Sequence, residues 1–198
     1  MNEPKCELKN IRTFIGNEGY GLNADLFING VKCIFCLDDA GGGPMDLQVL
    51  AYGNPKADII KANVKLLEEY INSLPEEKMW RDGENTDPFL DRDGNQMTIK
   101  PDLESYVNDL AMKVQTQKEL KKFNKLCETS IVMGIPNSTR YSYINYKKPL
   151  LTVPNRQVLF SSAMVKYCSK GVVILNTNLT ELGITLPIEK IGKKTFNV

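Results

Sequence analysis

Four acidic residues, Glu18, Asp38, Asp39 and Asp46, are spaced so that a sheet could gather them at one of its ends. A carboxylate group of that kind holds Mg²⁺ and serves phosphoryl chemistry, as in a phosphodiesterase or nuclease. The same Asp-Asp-Ala-Gly stretch is equally an ordinary way to close a strand in a turn, since Asp side chains bond backbone groups two residues on. Beside it, Gly41, Gly42 and Gly43, and separately the run from Gly16 to Gly21, could turn backbone N–H groups toward a phosphate. Neither carries a Walker or Rossmann pattern, because the first lacks a Gly-Lys-Ser/Thr ending and the second lies between strands. Further along, Arg140-Tyr141-Ser142-Tyr143-Ile144-Asn145-Tyr146-Lys147-Lys148 interleaves rings with cations, the combination that stacks bases and neutralises phosphates. On a strand, Tyr141, Tyr143 and Asn145 share one face. Lys113, Lys118, Lys121, Lys122 and Lys125 read as the solvated side of a helix.

Other chemistries fall away. The chain has no histidine, which removes Ser-His-Asp and Cys-His nucleophiles, His-ligated zinc and an imidazole base. Cys33-Ile34-Phe35-Cys36 has redox spacing, yet strand alternation turns its two thiols to opposite faces and no second pair completes a zinc site. Asp91-Arg92-Asp93-Gly94-Asn95 has the look of a calcium loop, but an EF-hand aligned on Gly94 would start at Phe89 and end at Lys100, so it reads as a turn. Lys plus Arg (25) balances Asp plus Glu (24), so no global field draws the chain to nucleic acid or anionic lipid. No segment approaches the ~20 apolar residues of a membrane span, and Met1 to Lys9 is polar where a signal peptide would be apolar. Five cysteines without framework spacing suit a reducing cytoplasm.

The elements that would position these groups start with a hairpin. Asn29-Gly30 favours a type I′ turn between Leu22–Ile28 and Val31–Leu37, pairing Ile28 with Val31, Leu26 with Cys33, Ala24 with Phe35 and Leu22 with Leu37. That register buries Leu26, Cys33 and Phe35 and leaves Cys36 on the outer face; extrapolated, it sets Gly21 opposite Asp38 and brings Glu18 near. Leu8 to Ile15 supplies a further strand. Asn54 and Pro55 open a helix with Ile60, Val64, Leu67, Ile71 and Leu74 on one stripe, ended by Pro75. Residues 76–101 read as a polar excursion or linker with turns at Asp82-Gly83 and Asp93-Gly94. A helix begins near Asp102, and Thr116 with Glu119 makes a capping box for a separate short helix. Ser130–Ile135, Tyr141–Tyr146, Leu150–Val153, Gln157–Phe160, Ala163–Cys168 and Val172–Leu175 read as short antiparallel strands. The fold class is therefore α+β, with a sheet-plus-helix unit over 1–75 and helices followed by a second sheet over 102–198, as separate domains or one continuous domain.

The run Phe14-Ile15-Gly16-Asn17-Glu18-Gly19-Tyr20-Gly21-Leu22-Asn23-Ala24-Asp25-Leu26, followed by Asn29-Gly30 and Asp38-Asp39-Ala40-Gly41-Gly42, resembles the N-terminal part of small uncharacterised proteins encoded by bacteriophages and mobile elements. That resemblance implies a phage setting and the host cytoplasm, and it supplies no catalytic residues. Together these readings favour a non-catalytic accessory protein that sequesters a small anionic, nucleotide-like ligand or a host protein, counteracting host defence. Its expected ligand residues are Gly41, Gly42, Gly43, Arg140, Tyr141 and Tyr143, with no cofactor or metal and with self-assembly left open. The alternative is a carboxylate-metal phosphodiesterase or nuclease built on Glu18, Asp38, Asp39 and Asp46.

Overall fold

The computed structural model describes residues 2–81, 86–136, 138 and 140–194. Asn29 and Gly30 both take positive φ, 51° and 80°, so the type I′ turn forms as its dipeptide dictates. It joins β2 (Tyr20–Ile28) to β3 (Val31–Asp38), with β1 (Cys6–Ile15) and β4 (Asp46–Val49) completing a four-stranded antiparallel sheet in the order β1-β2-β3-β4. Asn63 secures the turn, donating to the Ile28 carbonyl at 3.1 Å while accepting from Asn29.

The register corrects the expected one. Ile28 pairs with Val31 and Phe27 with Lys32, but Leu26 pairs with Ile34, because Cys33 is an extra residue on β3. Such a bulge flips every later side chain relative to a straight ladder. Ala24 therefore faces Cys36, Asp25 faces Phe35, and Leu22 rather than Gly21 faces Asp38. Cys33 and Cys36 both end in the core, and Phe35 is only half-buried on the outer face. A second irregularity on β1 follows Asn10, whose φ is +54°. β4, absent from the sequence reading, adds Leu47 opposite Cys36.

The chain forms two compact units, Met1–Ala111 and Met112–Val198. In the first, α1 (Ala57–Ser73) buries Ile60, Val64, Leu67 and Ile71 with Leu26, Ile28, Ile34 and Cys36. The polar segment 76–101, read as an excursion or linker, falls within this unit. β5 (Glu77–Lys78) pairs with β6 (Thr98–Ile99), and bridges join Trp80 to Pro88 and Leu90 to Gln96. The Asp82-Gly83 turn lies outside the described residues. Asp91 makes the Asp93-Gly94 turn by accepting the N–H groups of Asp93 and Asn95.

The boundary between units falls within α2 (Leu103–Thr129), a single helix where two were expected. It opens on a reciprocal pair, Asp102 accepting from the Ser105 N–H and Ser105 Oγ from the Asp102 N–H. Glu119, expected as part of a second cap, accepts instead from Lys122 and Gln115 on the helix surface. Between Val107 and Phe123 no residue is fully buried, Leu110 and Ala111 being only partly so, which is why its polar middle reads as an interruption.

The second unit holds a three-stranded antiparallel sheet, β8 (Tyr141–Asn145), β7 (Ser130–Gly134) and β9 (Val173–Ile174), in the order β8-β7-β9. The fold class is α+β, with an antiparallel sheet in each part. Gln157–Phe160 and Ala163–Cys168, expected as strands, form one helix, α3 (Arg156–Tyr167), and Leu150–Thr152 is a 3₁₀ turn. Phe160 and Ala163, three apart, are buried against the sheet, a helical spacing hidden by β-branched and aromatic neighbours. Ile131, Met133 and Ile174 pack toward α3, while Val132, Val173 and Leu175 pack with Phe123 and Cys127 of α2. Among the described residues no helix is long and apolar enough to cross a membrane.

Candidate functional site

In the first unit the glycine loop is closed by its own acids. Asp38 Oδ1 accepts the Ala40 N–H at 2.9 Å and Asp39 Oδ1 accepts the Gly41 N–H at 2.8 Å. The Glu18 N–H donates to the Ala40 carbonyl, and a Cβ on Gly42 would run into the Glu18 carboxylate. Glu18 is thus brought to this loop, as the sheet topology implied. Its effect runs against a phosphate cradle: the Ala40 and Gly41 N–H groups are taken by Asp38 and Asp39, and an entering anion would meet carboxylates. Asp46, opposite Leu37 on β4, accepts from Gln48 at 2.6 Å. Among the described residues no three His, Cys, Asp or Glu side chains converge as metal ligands. Asp38, Asp39 and Asp46 each have a local bonding role, which is the turn chemistry weighed against the metal reading.

The CxxC pair lies in the core on one face, brought there by the bulge. Burial pushes the Cys36 thiol up to about 11, and it raises Cys33 as well. A thiol held so far from its thiolate is a poor nucleophile or metal ligand.

In the second unit, a cavity of about 420 Å³ opens at one end of the sheet. It is lined by Met133 and Gly134 at the end of β7 with Ile135, by Ser138 and Arg140 with Tyr141 and Ser142 at the start of β8, and by Tyr167 and Val172. The volume falls within the ~300–1,000 Å³ range of small-molecule sites. Gly134 is required where it pairs with Tyr141, since a Cβ there would stand 2.9 Å from Leu175 and 3.1 Å from the Arg140 carbonyl. Arg140 follows Ser138, whose Oγ accepts the Arg140 N–H at 3.2 Å. The Arg140 side chain is exposed and makes no ion pair among the described residues. Arg156 is the contrast, its guanidinium spent on the carbonyls of Leu151, Val153 and Leu182.

Of the expected ligand residues, the structure brings Arg140 and Tyr141 to one cavity. Tyr143 does not line it, and Gly41, Gly42 and Gly43 belong to the other unit. Tyr141 itself shares the α2 side of the sheet with Tyr143 and stacks edge-on against Phe123, ring centroids 5.5 Å apart. The ring on the α3 side is Tyr167, which sequence reasoning had placed in a strand. Lys194 was also missed: its Nζ donates to the Ser138 carbonyl and lies 5.9 Å from the Tyr141 ring centroid. Burial lowers the Lys194 pKa. No local pattern marks either residue, since Lys194 reaches the site from beyond the last strand and Tyr167 depends on α3 being a helix.

No protein-family model matches this chain, and neither a curated protein nor a solved structure does.

Proposed function

We propose that the protein is a non-catalytic binding protein that captures a small anionic, nucleotide-like ligand in the cavity of the second unit. The observation that carries this reading is the exposed Arg140 guanidinium, in no ion pair among the described residues, on a cavity lined mainly by apolar and aromatic groups with two serines. Arg140 pairs with the phosphate, and its planar fork suits two phosphate oxygens at once. Tyr167 offers a ring for a base, while Ser138 and Ser142 supply hydroxyls for sugar or phosphate oxygens. Tyr141, braced by Phe123, keeps the wall in place. The Gly41–Gly43 loop lies in the other unit and is left out of this reading. The N-terminal resemblance supplies the setting, a phage-encoded accessory factor that withholds such a ligand from host defence in the host cytoplasm.

Calorimetric titration with cyclic and linear nucleotides tests this. One class should bind and be recovered unchanged after denaturation, and Arg140→Ala should weaken it at least tenfold, about 1.4 kcal/mol. Cleavage of the nucleotide in Mg²⁺, abolished by Asp38→Asn, would overturn the reading in favour of the carboxylate enzyme. Absence of binding by every nucleotide would remove the small-ligand reading altogether.

A further inference from the structure

The free edge of β8 is unlike the other strand edges of this protein. Tyr146 donates its N–H to Thr129, and β7 in turn directs the N–H and C=O of Val132 toward Asn176 and Leu175 on the β9 side. Antiparallel alternation then fixes the rest: Ser142 and Ile144 bond to β7, and Tyr141, Tyr143 and Asn145 turn their backbone groups outward. No strand pairs with that edge among the described residues. Natural edges are blunted by bulges, charges, proline or brevity. β1 carries the irregularity at Asn10 together with Glu7, Lys9 and Arg12, β4 has four residues and begins with Asp46, and β9 has two residues with Ile191 bridged beside it. β8 has no bulge, charge or proline within it, the charges and proline standing only at its ends in Arg140, Lys147, Lys148 and Pro149. Its five residues, Tyr-Ser-Tyr-Ile-Asn, carry no charge, and Tyr143 is 54% exposed.

From this we infer that β8 is a docking edge for a second copy of the chain, the two strands pairing antiparallel about a two-fold axis at Tyr143. The sequence is complementary to itself in that register. Tyr143 meets its own counterpart, Tyr141 meets Asn145 of the second copy, and Arg140 falls opposite Tyr146, which keeps the cations Arg140, Lys147 and Lys148 at the two ends of the ladder, outside the five paired residues. The outward groups of Tyr141, Tyr143 and Asn145 become the new ladder. A strand of five residues buries less than a standard interface, so the dimer is reversible and concentration-dependent. The inference does not rest on nucleotide binding, although Arg140 and Tyr141 beside the paired edge also line the cavity.

Sedimentation velocity of the full chain across a concentration series is the test, with Tyr143→Lys and Tyr143→Glu as variants. Wild type should pass from monomer to dimer. Each variant alone should stay monomeric, because like charges meet at the axis, and an equimolar mixture of the two should dimerise again. Hydrogen exchange on the wild type adds a measure that needs no variant: the amides of Tyr141, Tyr143 and Asn145 should gain protection as concentration rises. A wild-type monomer up to about 1 mM overturns the inference. So does a dimer that survives Tyr143→Lys, or one that leaves those three amides unprotected.

Discussion

The sheet of the first unit covers one face with α1 and the start of α2, whereas β7 in the second unit is buried on both faces. The one-sided sheet closes its strands on themselves through a tight turn and successive hairpin pairings. The two-sided sheet is only three strands wide and needs a polar side chain to finish it. Asn176, buried, accepts the Val132 N–H at 2.8 Å and donates to the Ser130 carbonyl at 2.9 Å and to the Cys127 carbonyl at 3.4 Å. It does for β7 what a longer β9 would do. One unit is held mainly by apolar contact and the other depends on a hydrogen-bonded clasp, so truncating a buried side chain should harm them by different routes.

The largest effect should come from the apolar side. Leu26 is fully buried against Leu8, Ile34 and the α1 stripe, so Leu26→Ala should cost about 2–5 kcal/mol through lost transfer energy and the cavity left behind. Urea denaturation followed by the fluorescence of Trp80, which belongs to the same unit, measures it; a loss below about 1 kcal/mol would show that this sheet collapses around the gap. Next is the clasp. Asn176→Ala leaves the Val132 N–H and Ser130 carbonyl without partners, at about 1–3 kcal/mol for each. The signature to look for is faster hydrogen exchange at the Val132 amide, and exchange unchanged from wild type would mean that water replaces the side chain.

The smallest effect concerns a polar contact within the apolar unit. Asp25, on the outer face, accepts from Lys32 at 2.8 Å and from Asn10 at 2.7 Å. Burial by itself raises its pKa, but the bonds from Lys32 and Asn10 outweigh that, and the net shift is downward. A lowered folded-state value contributes stability above the ordinary Asp value of about 3.9, and that contribution is lost as pH falls through the folded value. Lys32 is half exposed, so solvent screening keeps the effect modest. Asp25→Asn should flatten the acid limb of a thermal-melt series; an acid limb of unchanged slope would assign the pH dependence to other carboxylates.

Much of the first unit was legible because its signals are local. Asn29-Gly30 specifies positive φ at both turn residues, and the α1 stripe follows a helical period that four buried side chains obey. The bulge at Cys33 was not legible, because alternation counts residues and cannot show that one of them is left unpaired. That single residue exchanged Phe35 for Cys36 in the core. In the last third, Val158, Phe160, Val165 and Tyr167 favour strands by composition, yet burial of Phe160 and Ala163 against the second sheet makes the segment helical. The candidate site shared this divide. Arg140 and Tyr141 stood out as a cation and a ring side by side, but which side of the sheet each ring takes depends on strand pairing.

What the chain's sequence determines by itself is chemical capacity and local geometry: no imidazole anywhere, balanced charge, turns at Asn-Gly and Asp-Gly, and acids that bond the nearest backbone N–H. These follow from residue types and from contacts a few positions long. Only the tertiary structure decided that Gly41–Gly43 and Arg140 stand in different units, that Tyr167 and Val172 line a cavity with Arg140, and that no strand among the described residues pairs with the outer edge of β8. Each of those depends on groups far apart in the chain meeting through hydrogen bonds and burial, which no short window of residues encodes.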